Sequence, residues 1–164
     1  MREANTGRPD IDEYFCNMVR VVSSRGTCAR RKTGCILVND RNHVLATGYN
    51  GKKSGTIECF KSPCSGADAP SGQRLDECMA IHAEANALLQ CRDVYEIYTA
   101  YCTTAPCIHC VKLLSNTSCK RIIFLDDYPH SDVSAKEWVD AEGWFNDKVW
   151  YRMPEQRLNP VQSV

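Results

Sequence analysis

From Ala80 onward the sequence alternates between segments of helical and of strand periodicity, and this alternation constrains the fold more than any other feature. Ala83, Ala85, Ala87 and two leucines predict a helix over about 82–91. "EIYTAYCT" (96–103) reads as a strand, 107 to about 114 as a helix and "RIIFLD" (121–126) as a strand. A helix over 133–142 and a last strand, "KVWYR" (148–152), complete the series. Strands joined by intervening helices pair in parallel, with each crossover lying on a face of the sheet.

The first half adds an antiparallel element. Pro9 and Asp10 open a helix with Ile11, Tyr14, Phe15, Met18, Val19 and Val22 on one face. "GCILVND" is a strand, turned by Asp40-Arg41-Asn42 into a second, "HVLATGYN". The expected fold is therefore α/β: a three-layer sandwich with a mixed five-stranded sheet and helices on both faces. At 164 residues the chain is expected to form one domain, 1–164, with its core over about 10–151 and a loose tail after Pro154. The 27 residues from Gly51 to Glu77 read as a loop rich in Gly, Ser, Pro and Cys. A loop of that length is expected to be functional or pinned.

Two of the predicted helices start on unusual residues. His82 and Glu84 open one, and Cys107 and Cys110 open the next, just after Pro106. A C-x-x-C across one helical turn brings two sulfurs within reach of one ion, and a helix N-terminus favours thiolate. One His and two Cys make three ligands, so a tetrahedral zinc keeps a fourth position open, the pattern of catalytic rather than structural zinc. Glu84 is then the proton carrier beside that position. Each feature alone has a plainer reading: a redox C-x-x-C or two core thiols, a hydrogen-bonded His, a first-turn carboxylate. The combination H-x-E, strand, P-C-x-x-C is the signature of zinc deaminases acting on cytosine or adenine.

Eleven cysteines need an account of their own. Cys16, Cys35, Cys91, Cys102 and Cys119 fall in apolar segments and read as small buried hydrophobes. Cys28, Cys59, Cys64 and Cys78 lie in or beside the long loop. Four cysteines can close a structural zinc and pin the loop; the alternative is four unconnected thiols.

Twenty basic residues balance 20 acidic ones, which speaks against a protein that binds a nucleic acid polymer. No apolar run approaches the ~20 residues of a membrane span, and "MREANTGRPDIDEY" carries no apolar signal core. The expected location is cytoplasmic.

"HAEANA" (82–87), "APCIHC" (105–110) and "TGYNG" (47–51) together resemble the cytidine/deoxycytidylate deaminase superfamily, most closely its deoxycytidylate deaminases, over about 10–151. Nucleoside-level cytidine deaminases usually present Cys where this chain has His82. Thr33-Gly34-Cys35 and Cys102-Thr103-Thr104-Ala105 depart from the family pattern without touching the ligands.

The resemblance implies zinc-dependent hydrolytic deamination of dCMP to dUMP and ammonia, supplying dUMP for dTMP synthesis. It implies Asn50, Arg30 and Tyr128 as substrate contacts; a turn Asn, a solvated Arg and a turn aromatic are the plainer readings. It implies a second zinc near the long loop, and a homo-oligomer, a hexamer, activated by dCTP and inhibited by dTTP with Mg2+ on the triphosphate. The implied effector residues are Tyr49, Asn50, Gly51, Lys52 and Lys53, the lysines being otherwise a solvated turn. A deaminase of polynucleotides and a non-enzymatic zinc module are the competing functions; the second has no use for Glu84 or an open ligand position.

Overall fold

The computed structural model describes residues 7–139 and 147–158. Helix α1 spans Ile11–Ser23. Its start is fixed by a reciprocal capping box. The Asp10 carboxylate accepts from the Glu13 amide at 2.9 Å, and the Glu13 carboxylate accepts from the Asp10 amide at 3.1 Å. The buried face differs from the expected one: Phe15, Cys16 and Val19 are buried, with Met18 and Val22 packed beside them, while Ile11 and Tyr14 lie exposed. The inner stripe is shifted around the helix to include Cys16.

Strands β1 (Gly34–Val38) and β2 (Val44–Tyr49) form the expected antiparallel hairpin. Asn39 closes its turn by accepting from the amides of Arg41 and His43, and Asn42 takes the left-handed backbone with φ 62°. Helix α2 (Ala83–Gln90), strand β3 (Thr99–Thr104), helix α3 (Ile108–Ser115), strand β4 (Arg121–Asp126), helix α4 (Ser131–Val139) and strand β5 (Val149–Arg152) follow. The expected end of the fourth helix, at 140–142, lies outside the described residues. Strand β3 begins three residues later than expected, because Val94–Glu96 form a 3-10 turn capped by the Asp93 carboxylate on the Tyr95 amide.

The sheet order is β2-β1-β3-β4-β5, antiparallel across β1 and parallel from β3 to β5. Every residue of β1 and β3 is buried, as strands covered on both faces must be. Alternation sends Ile36, Tyr101 and Ile123 to the α1 face, against Phe15 and Val19. It sends Leu37, Cys102 and Ile122 to the opposite face, against Ala83, Leu114 and Trp138 of α2, α3 and α4. This is the three-layer α/β sandwich.

Two readings of the sequence need correction. The chain after Pro154 is not loose through the described residues. Glu155–Arg157 form a 3-10 turn, Leu158 packs into the α1-side core, and the Arg157 guanidinium pairs with Asp10 and Glu13. Residues 159–164 lie outside the described residues. Cys91 is only half-buried; Cys16, Cys35, Cys102 and Cys119 are buried as expected.

Candidate metal centre and active site

The site begins with how closely β2 approaches α2. A Cβ on Gly48 would meet the Ala83 carbonyl oxygen at 2.3 Å and the Ala87 amide nitrogen at 2.4 Å, so only glycine permits this contact. Just beyond β2, Gly51 and Ile81 form a backbone bridge, with Ile81 donating to the Gly51 carbonyl at 2.7 Å. The bridge delivers the chain to His82, which caps α2 in an extended conformation with no side-chain capping bond. Its imidazole is therefore free to point away from its own helix. Pro106 and Cys107 open α3 in the same way, Cys107 being the extended cap.

These two helix starts meet. His82 Nδ1 lies 3.4 Å from Cys107 Sγ and 3.5 Å from Cys110 Sγ. Metal–nitrogen and metal–sulfur bonds of zinc at tetrahedral angles place those atoms about 3.6 Å apart. The donor set and its spacing thus fit zinc. Among the described residues it is the one His/Cys/Asp/Glu cluster drawn together tightly enough to hold a metal ion.

The electrostatics point the same way. Hydrogen bonds from Cys110 and His82 pull the Cys107 thiol down to about 3, and the bond to Cys107 raises the His82 imidazole. The same sulfur–sulfur bond, with burial, holds Cys110 up. Glu84 sits in the first turn of α2, 6% exposed, and burial raises its carboxyl above the usual range although His82 pulls it down. The two-residue step from the extended cap to the first helical turn lets His82 and Glu84 face one space.

That space is a cavity of about 440 Å³, lined by His82, Glu84 and Cys107 together with Arg30, Asn50 and Tyr128. All three residues expected to touch substrate are at its wall, but two are already engaged. Asn50 is buried, its carboxamide oxygen accepting from the Thr33 amide at 2.9 Å and its nitrogen donating to the Arg31 carbonyl at 2.7 Å. Arg30 donates to the carbonyls of Gln73, at 3.1 Å, and of Pro70. It is a strut for the long loop, whose 69–72 segment forms part of the wall. Gly72 fits under Tyr128 and Pro129, an ideal Cβ lying 3.4 Å from the Tyr128 hydroxyl.

Of the expected effector residues, only Asn50 reaches the cavity. Tyr49 is partly exposed with Arg25 over its ring, and its carbonyl accepts from Asn86. Gly51 approaches Thr27 rather than open space, and Lys52 donates to the Ser62 carbonyl at 2.6 Å. Lys53 is exposed.

The loop cysteines share one corner of the molecule. Cys59 and Cys64 have their sulfurs 3.9 Å apart, backbone amides lower the Cys64 thiol, and burial raises Cys78. Cys28 and Cys78 also line the cavity. The four are not gathered as closely as His82, Cys107 and Cys110. Arg31 and Thr104 are among the wall residues that the sequence did not mark as part of a site; the departure at Cys102–Ala105 was the available signal for Thr104.

The model of the cytidine and deoxycytidylate deaminase zinc-binding region matches residues 9–126. The chain belongs to this family. A deoxycytidylate deaminase of Mycobacterium phage D29 is 40% identical over 125 residues, covering 71% of this chain and 95% of that protein. One from Schizosaccharomyces pombe is 36% identical over 128 residues, 76% of this chain and 39% of that protein. The chain thus spans about two fifths of the length of that yeast relative. The crystal structure of a dCMP deaminase from the cyanophage S-TIM5 shares the fold, with a TM-score of 0.64 at 24% identity over 89% of this chain and 99% of that one. No helix among the described residues is long and apolar enough to cross a membrane.

Proposed function

We propose that residues 1–164 form one deaminase domain that hydrolyses dCMP to dUMP and ammonia, supplying dUMP for thymidylate synthesis. The observation that carries this reading is the cluster of His82, Cys107 and Cys110 at the wall of a cavity that a buried carboxylate, Glu84, also lines. The deoxycytidylate deaminase relatives narrow the substrate. His82, Cys107 and Cys110 would hold zinc, which when bound supplies a hydrolytic nucleophile at neutral pH by lowering the pKa of a water molecule to about 7.

Glu84 does the proton work. Its carboxylate takes a proton as the water oxygen bonds to C4 of the ring, and gives that proton to N3. It then carries the remaining hydroxyl proton to the exocyclic amine. The C4–N bond breaks, ammonia leaves and C4 keeps the oxygen as a carbonyl. Burial suits this task, because a carboxyl raised above its usual range returns a proton more readily. Tyr128 closes one wall over the nucleotide, Asn50 borders the sugar, and Arg30 both braces the loop and lies near the phosphate.

Finer features of the reading rest on the family resemblance. Cys28, Cys59, Cys64 and Cys78 would hold a second, structural zinc once drawn closer together; elemental analysis tests this by returning two zinc ions per chain rather than one. The protein is a hexamer, activated by dCTP-Mg and inhibited by dTTP-Mg at Tyr49–Lys53. Ammonia release tests both levels of the proposal. dCMP is expected to react while cytidine and single-stranded DNA do not, and the two triphosphates shift its apparent affinity in opposite directions. No ammonia from dCMP sinks the activity; identical saturation curves with either triphosphate sink the regulation alone.

A further inference from the structure

Strand β3 carries three threonines, and two of them have clear structural partners. Thr99 accepts from the Arg121 guanidinium at 3.3 Å, and Thr103 accepts from the Gly34 amide at 3.0 Å. Among the described residues Thr104 has none: it is 7% exposed, and its Oγ1 is shut off from solvent without a hydrogen-bond partner. A hydroxyl both donates and accepts, and burying one unpaired costs stability. Valine has the same shape, suits a strand interior at least as well and carries no such cost. Nothing in the packing calls for threonine here.

The position of Thr104 suggests what the hydroxyl meets. It is the last residue of β3, three residues before Cys107. Alternation puts its side chain on the face of Cys102, the face that packs on α2, and it lines the same cavity as Glu84 and Cys107. The cavity's cations are placed differently: Arg30 is spent on loop carbonyls, and the Arg31 side chain is 38% exposed and paired with Asp126 at 3.2 Å. A phosphate is met by cations such as these, which keep part of their surface in solvent. Thr104 is buried on the wall it shares with Glu84 and Cys107, and a turn about χ1 would bring its closed-off hydroxyl to the part of a ligand that enters there.

We infer that Thr104 is a specificity-determining residue whose hydroxyl hydrogen-bonds a polar atom of the pyrimidine ring when a nucleotide enters. The inference rests on the dCMP reading above. The hydroxyl is left unpaired until substrate arrives, so part of the binding energy is the satisfaction of a group that folding left unsatisfied. Thr104 holds the ring in place; it moves no proton.

The test is a comparison of wild type, Thr104→Val and Thr104→Ser, reading dCMP kinetics and melting temperature together. Thr104→Val is expected to lower kcat/KM for dCMP about tenfold while raising the melting temperature by about 2–4 °C. Thr104→Ser is expected to keep kcat/KM within about threefold of wild type, since it keeps the donor and acceptor. A purely structural role would move stability and kinetics in the same direction. Thr104→Val with wild-type kinetics overturns the inference and leaves the dCMP reading standing. A wild-type protein that neither binds nor deaminates dCMP overturns both.

Discussion

His82 makes sense only as part of a set. Alone it is a helix cap that bonds nothing in its own helix, and the reason lies in Cys107 and Cys110, 25 and 28 positions away. The set is legible in the sequence because metal chemistry requires fixed residue types at fixed helix positions. The role of Arg30 is less legible. A run of three cations looks solvated, and only the folded chain shows that one of them grips carbonyls 40 and 43 residues away. The buried thiols allow a prediction at the same scale. Burial pushes Cys16 and Cys119 from 9.0 up to about 12. The folded chain holds both as neutral thiols at a pH where the unfolded chain has lost their protons. Their contribution is complete below pH 9 and falls away between pH 9 and 12, at about 1.4 kcal/mol per pH unit for each thiol. Urea unfolding under reducing conditions checks this. Cys16→Ala should show a slope above pH 9 that is shallower by about that amount, and equal slopes would contradict it.

Among the elements, the contact of β2 with α2 sets the site. The glycine at 48 gives no side chain to either core, but the backbone of α2 occupies the space where its Cβ would stand. Gly48→Ala must push α2 away from the sheet, and His82 begins that helix. The substitution is expected to cost about 1–3 kcal/mol of stability and to reduce deamination, although it lies outside the cavity. Denaturant unfolding and initial rates check it, and an unchanged stability would show that the close packing is not needed. Element order was readable because strand and helix periods differ, and the bounds of β4 were as expected, whereas the start of β3 was not. Ile97 and Tyr98 have strand composition, but the Asp93 cap turns Val94–Glu96 just before them, and ladder pairing with β1 starts at Thr99. On α1 the apolar residues span more than half the helix surface, so their spacing alone could not show that Cys16 faces inward rather than Tyr14.

At the scale of the whole molecule, the least legible features are contacts between distant parts of the chain. Arg157 reaches Glu13 across 144 positions and, with Leu158, ties the end of the described chain to α1. Nothing local to 155–158 marks that docking. The long loop is similar: its composition signals a loop, and only the fold shows that Arg30 and Tyr128 turn it into a cavity wall. Sequence motifs named His82, Cys107, Cys110 and Glu84, and the fold brings them together and adds the cavity. In the proposed reaction Glu84 carries the protons while other residues hold the metal. The direct measurement is zinc content and ammonia release from dCMP for Glu84→Gln beside wild type. The variant should hold as much zinc as wild type and lose several orders of magnitude in rate, roughly 10²–10⁴-fold or more for a lost acid–base group. A zinc-loaded Glu84→Gln that releases ammonia at close to the wild-type rate would contradict the account.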